Sequence, residues 1–172
     1  MNFPNDQTDW QVIYTYPKFE KKVNQKLEQL KIHSFLPMHE VIRQWSDRKK
    51  KLKVPLFPNY LFVKVSNVEK WKVSAIAGVV KFINDNGKSS FVSDRVISSI
   101  KKACSKSIEV VNQVYKTGDP VNVVSGPLMG VQGTLVEWKG KSKLVISIDM
   151  LKQSILVEVN PEDLEKKLEL VY

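Results

Sequence analysis

The sequence predicts an α+β fold in two parts, a mixed helix–strand part followed by a small all-β part. Three observations point to it. Near the N-terminus Phe19, Val23, Leu27 and Leu30 recur at helical spacing and mark one buried face. Residues 10–16 and 58–65 are rich in aromatic and β-branched residues and read as strands. Beyond residue 115 the texture changes. Residues 121–124, 134–138, 144–149 and 155–159 are short β-type runs separated by Gly126-Pro127, Gly130, Gly133 and Gly140, the spacing of a small barrel.

Taken in order, residues 10–16 form the first strand and Pro17 ends it. The first helix follows, then an extended stretch over residues 37–45. Residues 46–53 are polar and strongly basic and suit a loop between two strands. Residues 58–65 give the second clear strand. Ser66 with Glu69 fits a capping box for a helix over residues 68–77. Residues 79–83 read as a strand, Asn86-Gly87 as a hairpin turn, and residues 90–92 as the return strand. Ser93 or Asp94 caps a last helix, with Val96, Ile97 and Ile100 facing inward. Residues 104–115 carry no period and read as a linker, and residues 161–168 as a terminal helical turn. The domains expected are therefore 8–103 and 116–170, joined by 104–115.

A chain of 172 residues suits one ordinary domain or two small ones, and 42% hydrophobic content supports a packed core. The formal net charge of +9 favours polyanionic partners. It is unevenly placed: residues 1–103 hold 19 Lys/Arg against 9 Asp/Glu, and residues 104–172 hold 8 against 9. An excess confined to one half suggests a local nucleic-acid surface. The single cysteine, Cys104, cannot form an internal disulfide and is expected to be a half-buried small residue in a reducing compartment. The first ten residues lack a signal-peptide core, and no apolar run is long enough to span a bilayer, so a cytoplasmic protein with no membrane partner is expected.

Catalytic signatures are missing: there is no glycine-rich phosphate loop, paired-histidine zinc motif or nucleophile elbow. His33 and His39 lie six apart around Pro37, which does not place them on one helix face, and surface or hydrogen-bonded roles are expected. Asp119, Glu137, Asp149 and Glu158 lie in or beside barrel strands, where solvent-facing acids are ordinary. An enzyme is the weakest reading, and no metal or cofactor is expected.

Three features carry more information. In Phe57-Pro58-Asn59-Tyr60-Leu61-Phe62-Val63-Lys64-Val65, alternation puts Leu61, Val63 and Val65 on one face and Tyr60, Phe62 and Lys64 on the other. Either the second face is an accessible aromatic patch of the kind that anchors partners, or helices cover both faces and the aromatics are core. Lys18, Lys22 and Lys26, at i, i+4 and i+8 on the first helix and broadened by Lys21, form a stripe that is either a solvated face or a track for a phosphate backbone. Lysines lack the fork geometry for base reading, so such contact would be independent of sequence. Arg48, Lys49, Lys50, Lys51 and Lys53 make an exposed basic segment, either a bland loop or part of the same basic surface.

At these residues the chain resembles the NusG family. The resemblance rests on residues 10–16, the Phe19-Glu20 helix, Phe57-Pro58-Asn59-Tyr60-Leu61-Phe62-Val63, and Ala77-Gly78-Val79 with Phe82. Downstream, Gly118-Asp119-Pro120-Val121-Asn122-Val123 followed by Gly126-Pro127-Leu128-Met129-Gly130 and Gly133 is similar to a KOW motif. Together they cover nearly the whole chain. The stretch from Pro55 to Val63 is especially similar to RfaH, a specialised branch of the family, and the lysine-rich segment resembles UpxY-type antiterminators.

The resemblance implies an N-terminal α+β domain with a mostly antiparallel sheet and a C-terminal SH3-like β-barrel. It implies docking on the clamp helices of the RNA polymerase β′ subunit through an apolar pocket, with Tyr60, Phe62 and Phe82 at the matching positions. It implies a monomer that suppresses pausing or termination, with Lys18, Lys21, Lys22, Lys26 and Arg48 to Lys51 near the upstream duplex or the non-template strand. It implies that the KOW domain recruits a small-subunit ribosomal protein or Rho, with Gly126, Leu128 and Met129 as the candidate loop. Those glycines serve either that contact or only the turn, and Leu128 either contacts a partner or plugs the barrel. RfaH stores its C-terminal domain as a helical hairpin. Here Val121, Val123, Val124, Val145, Ile146, Ile148, Ile155, Val157 and Val159 favour strands. Within this reading an operon-specific paralogue is favoured over the general factor. The competing reading is a KOW-containing RNA-binding or ribosome-associated protein, which would not need the docking strand.

Overall fold

The computed structural model describes residues 8–45, 48–85, 88–106, 108–112 and 118–166. It divides into two compact units, Met1–Ser93 and Asp94–Tyr172.

The first unit runs β1 (Asp9–Thr15), α1 (Glu20–Gln29), β2 (His33–Phe35), β3 (Met38–Gln44), β4 (Lys49–Pro55), β5 (Tyr60–Val65), α2 (Lys70–Ser74), β6 (Val79–Phe82), β7 (Asn84–Asp85) and β8 (Lys88–Ser89). Four strands form an antiparallel sheet in the order β2-β5-β1-β6. Directly opposed residues share a face, and β1 pairs β5 with Ile13 opposite Leu61 and Gln11 opposite Val63. That face, with Val65, packs on Val23 and Leu27 of α1 and on Val73 and Ile76 around α2. Of the period read from Phe19, Val23, Leu27 and Leu30, the first three face the core, whereas Leu30 lies just past the end of α1 and is exposed.

Four local readings are corrected. The basic segment is not a loop: Lys49 to Lys53 lie in β4, paired with β3 in a separate two-stranded ribbon from Met38↔Pro55 to Gln44↔Lys49. The ladder satisfies the backbone while both ribbon faces remain open enough for water to solvate the lysines, so charge repulsion does not prevent a strand. Helix α2 is shorter than residues 68–77. It spans Lys70–Ser74, although the expected capping bond is present: Glu69 reaches back to accept hydrogen bonds from the Ser66 N–H and hydroxyl, both 3.0 Å. Lys18 is not helical; it sits at φ 67° in the turn ahead of α1. Asn86-Gly87 lies outside the described residues; the pairs flanking it are Asn84↔Ser89 and Asp85↔Lys88. The return strand is Lys88–Ser89 rather than residues 90–92, of which only Val92 pairs, in an isolated bridge to Trp10.

The second unit contains α3 (Asp94–Ala103), β9 (Ile108–Val111), β10 (Asp119–Val123), β11 (Gln132–Trp138), β12 (Lys141–Ile148), β13 (Gln153–Glu158) and β14 (Leu164–Lys166). They form one antiparallel sheet in the order β14-β10-β11-β12-β13-β9. The five strands β10 to β14 follow the order of an SH3-like barrel, a four-strand meander whose fifth strand returns beside the first. Strand β9 adds a sixth along β13. The β-branched runs are therefore strands, as expected, except that Val124 and Val159 lie just past the ends of β10 and β13. Leu144, Val145 and Ile146 are all buried, as are Ile155, Leu156 and Val157, so both faces of β12 and β13 are covered where they pair. Helix α3 packs against these two strands, with Ile97 and Ile100 buried. Two segments differ from expectation. Residues 104–115 contain β9, because Ile108 to Val111 complete a ladder that lone periodicity could not reveal. Residues 161–166 make a single 3-10 turn (Pro161–Asp163) and then β14; the rest of the expected turn lies outside the described residues.

Candidate functional site

The Phe57-Pro58-Asn59 turn sets where β5 begins. Asn59 adopts φ 70°, a left-handed conformation that asparagine tolerates better than most residues. Its N–H donates to Oε1 of buried Glu20 at 2.9 Å, and its carbonyl accepts from the Thr15 N–H at 2.8 Å and the Thr15 hydroxyl at 3.3 Å. The turn is thereby tied to both α1 and β1, and Tyr60 follows it directly.

Tyr60 is half-buried and lies opposite Tyr14 in the ladder. The two rings meet edge to face with centroids 5.3 Å apart, a geometry that aromatic quadrupoles favour. Phe62 shares that sheet face but is fully buried. Its ring meets Phe35 at 6.0 Å and Phe57 at 6.1 Å. The accessible aromatic patch is therefore corrected: β2 brings Phe35 opposite Phe62 and the preceding turn folds Phe57 over it, so only Tyr60 of the two remains reachable. Phe82 is placed elsewhere. It pairs with Ile13 and packs half-buried against the α1-side core, on the opposite face of the sheet from Tyr60 and Phe62. The structure thus unites Tyr60 with Tyr14, buries Phe62 among Phe35 and Phe57 on the same sheet face, and separates Phe82. Tyr14 was not singled out from sequence; alternation along β1 orients it, but only the cross-strand register shows its neighbour.

Basic side chains gather on two elements. On α1, Lys21, Lys22 and Lys26 are exposed, and the Lys22 ammonium lies 5.3 Å from the Phe19 ring centre. On the β3–β4 ribbon, Lys49, Lys51 and Lys53 share one face with Ile42. Lys50 pairs with Arg43 on the other. The Trp45 N–H closes the ribbon on the Arg48 carbonyl at 2.9 Å, and Lys50 sits 5.5 Å from the centre of the half-exposed Trp45 ring. Cations on both faces beside an indole suit a polyanion carrying stackable bases. His39, in the same ribbon, is half-buried, and its desolvation lowers its pKa below the usual imidazole value.

In the second unit the glycine loop separates its two apolar residues. Leu128 is buried, so it plugs the core, while Met129 is 59% exposed. Gly126 and Gly130 both have positive φ, and Gly130 N–H donates to the Val123 carbonyl at 2.7 Å. The Met129 carbonyl accepts from Lys102 of α3. Beside the loop lies a cavity of about 360 Å³ lined in part by Ser125, Pro127, Leu128, Asn160 and Asp163. Ser125 and Asp163 are themselves hydrogen-bonded. The four acids singled out from sequence do not converge. Asp119 pairs with Lys166 at 3.0 Å, and Glu158 with Lys141 and Lys143 at 3.0 and 3.2 Å. The Lys141 and Lys143 hydrogen bonds, in that order, hold the Glu158 carboxyl below its ordinary value. Among the described residues no helix is long and apolar enough to cross a membrane.

Comparison with known proteins follows the same residues. The family model described as transcription termination factor NusG matches residues 8–101, more than half of the chain. The transcription termination/antitermination protein NusG of Helicobacter pylori is 27% identical over 92% of this chain and 98% of its own length. The protein of that name from Pasteurella multocida is 25% identical, covering 91% and 94%. A structure solved to describe domain interaction in Thermotoga maritima NusG aligns over 92% of this chain and 97% of that one, with TM-score 0.50 and 23% identity, a likeness of fold.

Proposed function

The chain belongs to the NusG family of transcription termination and antitermination factors, and from that premise we propose that it docks on the β′ clamp helices of RNA polymerase through the Tyr60 surface of its first unit. The observation that carries this reading is the Tyr14–Tyr60 pair, half-buried at the start of β5, with the Asn59 side chain reaching the Tyr14 hydroxyl at 3.5 Å. A rigid aromatic anchor with a polar hydroxyl is the type of group that dominates protein interfaces. Phe62 belongs to the core on the same sheet face, and Phe82 packs on the opposite face.

On this reading no covalent chemistry is needed and the protein is not an enzyme. Binding one conformation of the elongation complex more tightly than its paused alternative shifts the population toward elongation. Lys21, Lys22 and Lys26 on α1, Lys18 ahead of it, and Arg48 to Lys51 on the ribbon run along nucleic acid, either upstream duplex or non-template strand. Met129, presented by the Gly126–Gly130 turn, belongs to the surface that recruits a small-subunit ribosomal protein or Rho. The RfaH-like stretch from Pro55 to Val63 favours an operon-specific paralogue working in the cytoplasm.

The test is single-round transcription by the cognate polymerase on native leader DNA carrying a strong pause. Wild-type protein should shorten the pause, and Tyr60→Ala should restore it while leaving the fold intact. Equal activity of wild type and Tyr60→Ala would remove Tyr60 from the docking surface.

A further inference from the structure

Strand β6 carries one residue more than the stretch of β1 it faces. Its ladder sets Phe82 opposite Ile13 and Lys81 opposite Tyr14, then passes to Val79 opposite Thr15, which leaves Val80 as the unpaired residue of a bulge. The side chains agree with that register. Val79 and Phe82 both pack on the core against α1, although strict alternation would set residues three apart on opposite faces. Val80 and Lys81, between them, are therefore both turned away from α1, and both are exposed.

That face is the one that carries Tyr60. Lys81 is directly opposed to Tyr14, and Tyr14 to Tyr60, so the three form one row across β6, β1 and β5. Neighbouring strands lie about 4.8 Å apart, which separates the ends of the row by about 10 Å. Val80, 43% exposed, widens its apolar part. Among the described residues Lys81 makes no hydrogen bond, ion pair or ring contact, so its ammonium is available to a group from outside. Helix α1 packs on the Ile13 side of the sheet, which sets Lys81 apart from the basic stripe of that helix. A phosphate backbone is held by several cations at once. A lone ammonium in a row with two tyrosines suits a protein surface that places a carboxylate near an apolar side chain.

We propose that Lys81 is the specificity-determining charge of this face, the group that orients a docked helix. An apolar side chain of the helix seats against Tyr60 and Tyr14, Val80 touches its flank, and a carboxylate two turns along the same helix face meets the Lys81 ammonium. Two helical turns rise about 11 Å, which matches the length of the row. The identity of the helix rests on the clamp-helix reading; the charge it must present, and the spacing, come from β6.

The test is equilibrium binding of the full-length chain to purified elongation complexes of the cognate polymerase over a series of salt concentrations, with Lys81→Gln, Lys81→Glu and Tyr60→Ala measured side by side. Lys81 is exposed on an edge strand, so both of its variants should keep the wild-type circular dichroism and unfolding midpoint. Lys81→Glu should weaken binding about tenfold or more at low salt, because it sets like charges together, and Lys81→Gln by less. Both deficits should shrink as salt rises. Reversing the acidic residues of the clamp helices to lysine one at a time should find one that restores binding to Lys81→Glu and weakens binding of wild type. Loss for Tyr60→Ala without loss for Lys81→Glu would overturn the proposal and leave the clamp-helix reading standing. A Lys81→Glu deficit that no such reversal repairs, and that persists on polymerase lacking the clamp-helix tip, would overturn it in favour of a nucleic-acid contact. Indifference to both Tyr60→Ala and Lys81→Glu would remove the clamp-helix reading itself, and the proposal with it.

Discussion

Phe62→Ala should destabilise the first unit severely, whereas Tyr60→Ala should not. Phe62 is fully buried and its ring contacts two others, Phe35 and Phe57, at centroid distances of 6.0 and 6.1 Å. Truncating a buried phenylalanine costs about 3–5 kcal/mol, because the lost transfer energy is joined by a residual cavity. Each ring pair adds about 0.5–1.5 kcal/mol to what is forfeited. Tyr60 is half-buried and has one ring partner, so its truncation should cost about 1 kcal/mol. Against a total stability of about 5–15 kcal/mol for a small domain, the first change is a large fraction and the second is not. With a urea dependence of about 1–3 kcal/mol per molar, Phe62→Ala should lower the midpoint by about 2 M. The assay is urea unfolding of the full chain followed by NMR amide signals of β1 and β5, since two compact units need not unfold together. A Phe62→Ala midpoint within error of wild type would refute the assignment of Phe62 to the core. It also follows that a Tyr60→Ala/Phe62→Ala double variant cannot separate lost docking from lost folding.

Four further outcomes follow from the same coordinates. Gly78→Ala should destabilise by at least about 2 kcal/mol by urea unfolding, because φ is 105° and a Cβ would lie 2.5 Å from a Phe19 ring carbon. Asn59→Gly should leave stability near wild type and Asn59→Ala should cost about 1–2 kcal/mol, the penalty of a left-handed alanine at φ 70°; equal losses would place the role in the side chain. The Glu69 carboxyl is held below its ordinary 4.5 chiefly by the Ser66 backbone N–H, with the Ser66 hydroxyl and Lys72 assisting against desolvation. Its depressed folded pKa means that the stabilisation is present above 4.5 and is lost as pH falls through the lower folded value, so hydrogen exchange in α2 should accelerate in that window for wild type, with Glu69→Gln already fast at neutral pH. Changing Lys49, Lys50 and Lys51 to Gln should reduce the slope of log affinity for duplex DNA against log salt by about 0.9 per phosphate contact removed; an unchanged slope would take the ribbon out of the nucleic-acid surface.

How much of this was legible beforehand depended on which force set each feature. Helix α1 and strands β1 and β5 were visible because one face of each is buried, which imprints a period on the residues. The expectation for α2 runs too long because a capping box marks where a chain turns toward helix but not how many turns follow. Strand β9 carries no period of its own, and its existence depends on a free edge of β13 distant in sequence. Charge alone suggests a loop for the basic ribbon, whereas cross-strand pairing with residues 38–44 makes it a strand. At the candidate site, alternation correctly put Tyr60 and Phe62 on one face. It could not say that Phe35 and Phe57 would cover one of them, nor that Phe82 would enter from the other side. Those are matters of register between strands, and they leave Tyr60 half-buried while Phe62 is fully buried.

The most direct test of the central claim is equilibrium binding to purified elongation complexes of the cognate RNA polymerase, comparing wild type with Tyr60→Ala and repeating both with polymerase lacking the β′ clamp-helix tip. The account predicts tight wild-type binding, at least a tenfold loss for folded Tyr60→Ala, and no further effect of that substitution once the tip is removed. Undiminished binding of Tyr60→Ala, or wild-type binding indifferent to loss of the tip, would contradict it.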